Sequence, residues 1–132
     1  MRLTFLVILL AVISTTSQAK PHLRDVVEVD GALLAVGLAD EIRQNCPVIS
    51  ARMLKALKFV YDLRARAREL GYTDEEIDAY RKSDEEKARL RALGEAWLAA
   101  NGVDKAAPET YCVAGRAEIK KQSQIGALLE VN

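Results

Sequence analysis

The chain has 132 residues, with 19 basic and 19 acidic side chains, one histidine and an apolar fraction of 50%. That length suffices for one domain and not two. The cancelled charge argues against nucleic acid, and against a strongly charged membrane surface, as a partner.

Met1 and Arg2 precede an apolar run from Leu3 to Ile13 that only Thr4 interrupts. Ser17-Gln18-Ala19 then places small residues at the two positions a signal peptidase requires. These features predict a cleavable signal peptide over 1–19 and a mature periplasmic domain over 20–132. The run is shorter than the roughly 20 apolar residues an anchor needs, so no transmembrane segment is expected after cleavage. No cysteine follows the run, which argues against lipoprotein processing, and no twin arginine precedes it.

Strand signals are scarce beyond the leader. Residues 20–29 read as an extended lead-in. Asp30 is placed to cap a first helix running to about Asn45. From Ala32 to Ile42 that helix is apolar nearly all round, which suits a central position. A second helix is expected from about Ser50 to Leu70, with Ile49, Met53, Leu57, Val60 and Ala67 on its core stripe and Gly71 as a left-handed terminator. Thr73-Asp74-Glu75-Glu76 and Ser83-Asp84-Glu85-Glu86 both match the capping box, in which hydroxyl and glutamate satisfy free helix N–H groups reciprocally. They predict helices over about 74–82 and 84–101, the latter ended at Gly102, with Leu90, Leu93, Trp97 and Ala100 facing the core. Pro108 suits the first turn of a fifth helix carrying Cys112 and Ile119. Ser123 to Gly126 should interrupt it before a last turn with Leu128 and Leu129. The fold class is therefore all-α, a single bundle of four to five helices.

Cys46 and Cys112 are the two cysteines. In an oxidising compartment an even pair is most simply a disulfide. This one would join the end of the first helix to the start of the fifth. A reactive thiol is the weaker reading, since there is no C-x-x-C pair and no second histidine to activate Cys112.

No catalytic or metal-binding constellation is visible, and no cofactor is implied. His22 would stand third in the mature chain, but Pro21 before it lacks the amide hydrogen that an amino-terminal copper or nickel chelate must lose. The paired acids occupy first helical turns, where capping and the helix dipole already use them. No D-x-D-x-D-G calcium loop and no G-x-S-x-G serine motif occurs. Tyr61, Tyr80, Trp97 and Tyr111 read as core or rim anchors.

Charge is uneven along the chain. From Arg43 to Arg68 seven bases face Asp62 alone, and from Thr73 to Glu86 seven acids face Arg81 and Lys82. The bland reading is local pairing, in which the basic end of the second helix folds back on the acidic third. The functional reading makes Arg52, Lys55, Lys58, Arg64, Arg66 and Arg68 a docking surface for a protein partner.

The segments Ala39–Pro47, Ile49–Met53 and Leu70–Ile77, with Tyr111-Cys112, Gly115–Ile119 and Ser123–Gly126, resemble a group of small exported alphaproteobacterial proteins classed as a domain of unknown function. The resemblance covers nearly the whole mature chain. Genes of that group often lie among those of respiratory complex I, the proton-pumping NADH:quinone oxidoreductase. The resemblance thus implies an accessory or assembly role on the periplasmic face of complex I, and it brings no catalytic residues. The expected function is a non-enzymatic periplasmic interaction protein. The alternative is a free periplasmic chaperone or inhibitor-type binding protein.

Overall fold

A computed structural model describes residues 19–132. The signal-peptide expectation falls, apart from Ala19, outside the described residues. The helices are α1 (Val27–Asn45), α2 (Met53–Glu69), α3 (Asp74–Lys82), α4 (Asp84–Ala100) and α5 (Glu109–Lys121). Two three-residue strands, β1 (Ile49–Ala51) and β2 (Leu129–Val131), pair antiparallel with Ile49 opposite Val131 and Ala51 opposite Leu129. The all-α expectation holds for five helices joined by one disulfide, and this small ribbon is its addition.

α1 lies at the centre, as its all-round apolarity requires, and packs against α4, α5, β1 and α2. It begins three residues before Asp30, because a 3₁₀ turn at Leu23–Asp25 feeds the chain into it. The lead-in is therefore not extended throughout, and Asp30 is not a cap. Its carboxylate turns instead toward α3 and α4, as described below.

The ribbon corrects both flanks of the expected helices. Residues 49–51 form β1 and not the first turn of α2, and Leu129 belongs to β2 and not to a last helical turn. Burial drives the pairing: Ile49 and Leu129 both enter the main core. Strands this short carry no readable period in sequence.

The capping signals perform as expected at α3, where Thr73 Oγ1 accepts from the Glu76 N–H and Glu76 accepts from the Thr73 N–H. At α4 half of the box forms. Ser83 Oγ accepts from the Glu86 N–H, but the Ser83 N–H already donates to the carbonyls ending α3. Glu86 is thereby released for other partners. Gly71 and Gly102 take positive φ angles of 94° and 78° and end α2 and α4, and Gln122 closes α5 in the left-handed region. Pro108 stands as the residue before α5.

Cys46 and Cys112 form the expected disulfide, 66 residues apart in sequence. Around it lies the main core, built from Leu38, Ile42, Ile49, Tyr111, Leu128 and Leu129 among others. Gly115 permits this packing: a Cβ there would stand 2.5 Å from Ile49 Cδ1. A second, smaller core at the other end of α1 gathers Leu23, Val29, Ala67 and Tyr72. On α4 the buried positions are Glu86, Gly94 and Leu98 with Trp97 half-buried, while the expected core residues Leu93 and Ala100 are exposed.

Candidate docking surface on α2

α2 buries a different face from the one its sequence suggests. Ala56, Phe59, Leu63 and Ala67, spaced at three and four, turn inward. Of the expected stripe only Ala67 is buried within the helix. Met53, Leu57 and Val60 face solvent, and Leu54 and Tyr61 join them at 85% and 71% exposure. The apolar arc of α2 is simply wider than the bundle can cover. With α1 at the centre and α3 short, α2 meets the body along one edge alone, and the adjacent apolar edge stays open.

Beside this edge runs a groove of about 330 Å³ between α1, α2 and α3, walled by Leu33, Leu57, Val60, Tyr61, Ile77 and Arg81. Its lining is overwhelmingly apolar, in contrast to a groove of about 640 Å³ beneath the N-terminal segment. There Lys20 donates to the Gly71 carbonyl and to Glu76, and Tyr72 donates to the Pro21 carbonyl. The N-terminal segment carrying His22 is consequently tied to α3.

The six bases proposed for docking lie along one helix or just before it, but they divide by employment. Arg64 pairs with Asp74 and Asp78, both at 2.9 Å, and Arg68 reaches Asp74 at 2.8 Å. Arg66 reaches back to Glu28 on α1 at 2.9 Å. The expected folding of the basic end of α2 onto acidic α3 is therefore observed. Hydrogen bonding from Arg68 holds the Asp74 carboxyl below its ordinary range, and Arg64 does the same for Asp78. Lys58 pairs along its own helix with Asp62. Arg52 stands 4.0 Å from Glu130, and Lys55 forms no ion pair among the described residues. The bases left open to a partner thus cluster at the N-terminal end of α2.

One arrangement escapes sequence reading altogether. Asp30 of α1 accepts from Arg89 of α4, with one contact at 3.1 Å, and from the Tyr80 hydroxyl of α3. Arg89 also binds Glu86 at 2.8 Å, and Glu86 accepts from Arg24 as well. Burial works to raise the Asp30 pKa, but the hydrogen bonds from Arg89 and Tyr80 outweigh it and hold it low. Glu86 is held low chiefly by Arg89. Tyr80 is pushed up by burial and by Asp30. The available signal was a carboxylate, Asp30, placed among Val29, Ala32 and Leu33 on the apolar side of a helix largely destined for burial. The network links α1, α3, α4 and the N-terminal turn, and it seals the smaller core on its polar side.

Among the described residues no group of three or more His, Cys, Asp or Glu side chains converges as a metal site would. None of the described helices is long and apolar enough to cross a membrane. Tyr111 is buried in the main core and Tyr80 belongs to the polar network, while Tyr61 lies open on the α2 face.

The architecture defines a small five-helix domain closed by one disulfide, with an uncovered apolar helix face. The family model for a family of unknown function, DUF5333, matches residues 21–130, and the chain belongs to that family. No curated protein and no solved structure matches the chain.

Proposed function

We propose that this is an exported, non-enzymatic interaction protein that binds a protein partner through the open face of α2. The observation that carries this reading is the row Met53, Leu54, Leu57, Val60 and Tyr61, five apolar side chains exposed together on one helix. Contiguous apolar surface of this kind marks interaction sites on water-facing proteins. Export is supported by the leader sequence and by the disulfide, since such bonds persist in oxidising compartments. A binding role without catalysis is supported by the polar side chains of the larger groove. Lys20, Arg24, Glu76 and Glu86 are already engaged with one another or with neighbouring charges.

The sequence resemblance nominates the periplasmic face of respiratory complex I as the partner, with an accessory or assembly role. A C-terminally tagged protein recovered from gently solubilised membranes tests both parts. Complex I subunits should co-purify with the wild type and be lost with Leu57→Glu. Recovery of unrelated periplasmic clients, with no complex I subunit, would turn the assignment to the chaperone reading. Identical recovery by wild type and Leu57→Glu would remove α2 as the docking face.

A further inference from the structure

Two grooves meet at the N-terminal turn. The apolar groove beside α2 and the larger polar groove beneath residues 20–24 share two lining side chains, Leu23 and Tyr80. Tyr80 is fixed from α1 and α4, since it donates to Asp30 and accepts from Arg89. Leu23 belongs to the short segment 20–25, which is held quite differently.

Side-chain ties fasten that segment to the body. Its backbone–backbone hydrogen bonds are those of its own turn, from Asp25 to His22 and from Val26 to Leu23. Lys20 reaches Glu76 of α3 and the Gly71 carbonyl, both at 2.8 Å, and lies 5.0 Å over the Tyr72 ring. Tyr72 donates to the Pro21 carbonyl. Arg24 pairs with Glu85 of α4 at 2.9 Å and with Glu86. Leu23 is the one side chain of the segment that is buried. His22 and Asp25 face solvent and make none of these ties. The remaining charges facing the segment are Asp30, which feels Arg24, and Arg89, which shares Glu86 with it. Half-exposed pairs of this kind hold weakly one by one. A segment without backbone ties to the body opens ahead of the packed core.

We propose that residues 20–25 form an acid-released gate between the two grooves. Protonating Glu76 and Glu86 frees Lys20 and Arg24, and the segment then lifts Leu23 out. The grooves become one cleft, running from Tyr72 and Ala79 to Leu57 and Val60 on the open face of α2. The main core keeps its shape, because apolar packing and the Cys46–Cys112 bridge hold it.

The direction follows from the pairs. Lys20 holds the Glu76 carboxyl below its ordinary range, and Arg89 with Arg24 does the same for Glu86. The gate is therefore fully fastened above the unfolded-state value of about 4 and fails as pH falls through the lower folded values. Protonation of Asp30 loosens Tyr80, the other half of the partition, and so acts in the same direction.

Methyl NMR of the processed, oxidised protein tests the gate, because Leu23, Leu128 and Leu129 report on segment and core in one spectrum. Between pH 7 and pH 3 the Leu23 methyls should move toward their unfolded position, the open fraction rising about tenfold or more. Leu128 and Leu129 should hold theirs. Lys20→Gln combined with Arg24→Gln should open the segment already at pH 7 and flatten its pH profile. Lys20→Arg, which keeps the charge, should leave the wild-type profile. Common movement of Leu23 and Leu128 in acid would mean loss of the whole fold and overturns the gate. A Leu23 signal that stays folded at pH 3, or in the double variant at pH 7, overturns it too. No partner enters this measurement, so its outcome is separate from that of α2 docking.

Discussion

Around the Cys46–Cys112 bridge, Ile42, Ile49, Tyr111, Leu128 and Leu129 exclude water almost completely. At the opposite end of α1 the packed residues are fewer, Leu23, Val29, Ala67 and Tyr72, and charge ringed by Arg24, Asp30, Glu86 and Arg89 closes them in. One end is held by apolar area and a covalent link. The other is held by ion pairs that depend on protonation and salt. The uncovered face of α2 runs from Met53 and Leu54, beside the ribbon at the first end, to the groove that Leu57, Val60 and Tyr61 share with Leu23 and Val29 at the second. The difference teaches that the two ends should open at different cost, the end closed by ion pairs the more readily.

The largest expected effect falls on the covalent end. Replacing Cys46 and Cys112 together by alanine frees a loop spanning 66 residues and should lower unfolding stability by about 4 kcal/mol, read from urea denaturation. A loss below about 1 kcal/mol would mean that the apolar core alone closes that end.

Arg89→Ala attacks the other end. It strands Asp30 and Glu86, and should cost about 3 kcal/mol, the low end of the range for breaking a buried pair, since the Arg89 side chain keeps 27% exposure. Hydrogen exchange should then show α3 and the N-terminal turn losing protection while α5 retains it. Uniform loss would erase the distinction between the two ends.

Acid should produce a milder form of the same break. Asp30, Glu86, Asp74 and Asp78 are all held below the ordinary carboxylate range in the fold. Their contribution is therefore complete above the unfolded-state value of about 4 and is lost as pH falls through the lower folded values. The urea midpoint should drop between pH 7 and pH 3, and more so in the wild type than in Arg89→Ala. Equal drops would exclude the network as the acid-sensitive element.

The smallest effect concerns a single cap. Thr73→Ala removes the hydroxyl half of the box at α3 and should cost about 1 kcal/mol, seen as a fall in melting temperature. The corresponding Ser83→Ala should cost less, because the box there is already half open.

Local signals were legible wherever the chain satisfies its own backbone. Thr73 and Ser83 marked two helix starts, Gly71 and Gly102 marked two ends, and the apolarity of α1 marked its central place. Pairing of the basic end of α2 with α3 was readable too, because Arg64, Arg68, Asp74 and Asp78 are close in sequence. The ribbon was not, since β1 and β2 acquire strand character only from one another across the length of the domain. The Asp30–Arg89 pair was hidden for the same reason, and Asp30 was misread as a cap because capping is the nearest local role for an aspartate.

The sequence by itself determined the helical class, the cysteine pair and most helix boundaries, all of which depend on neighbours within a turn or two or on counting. Which face of α2 is buried was decided by tertiary structure alone. Its apolar arc is broad enough to satisfy two packings, and the positions of α1 and α3 select Ala56, Phe59, Leu63 and Ala67. That choice leaves Leu54, Leu57 and Tyr61 in water, and it makes the face available for binding.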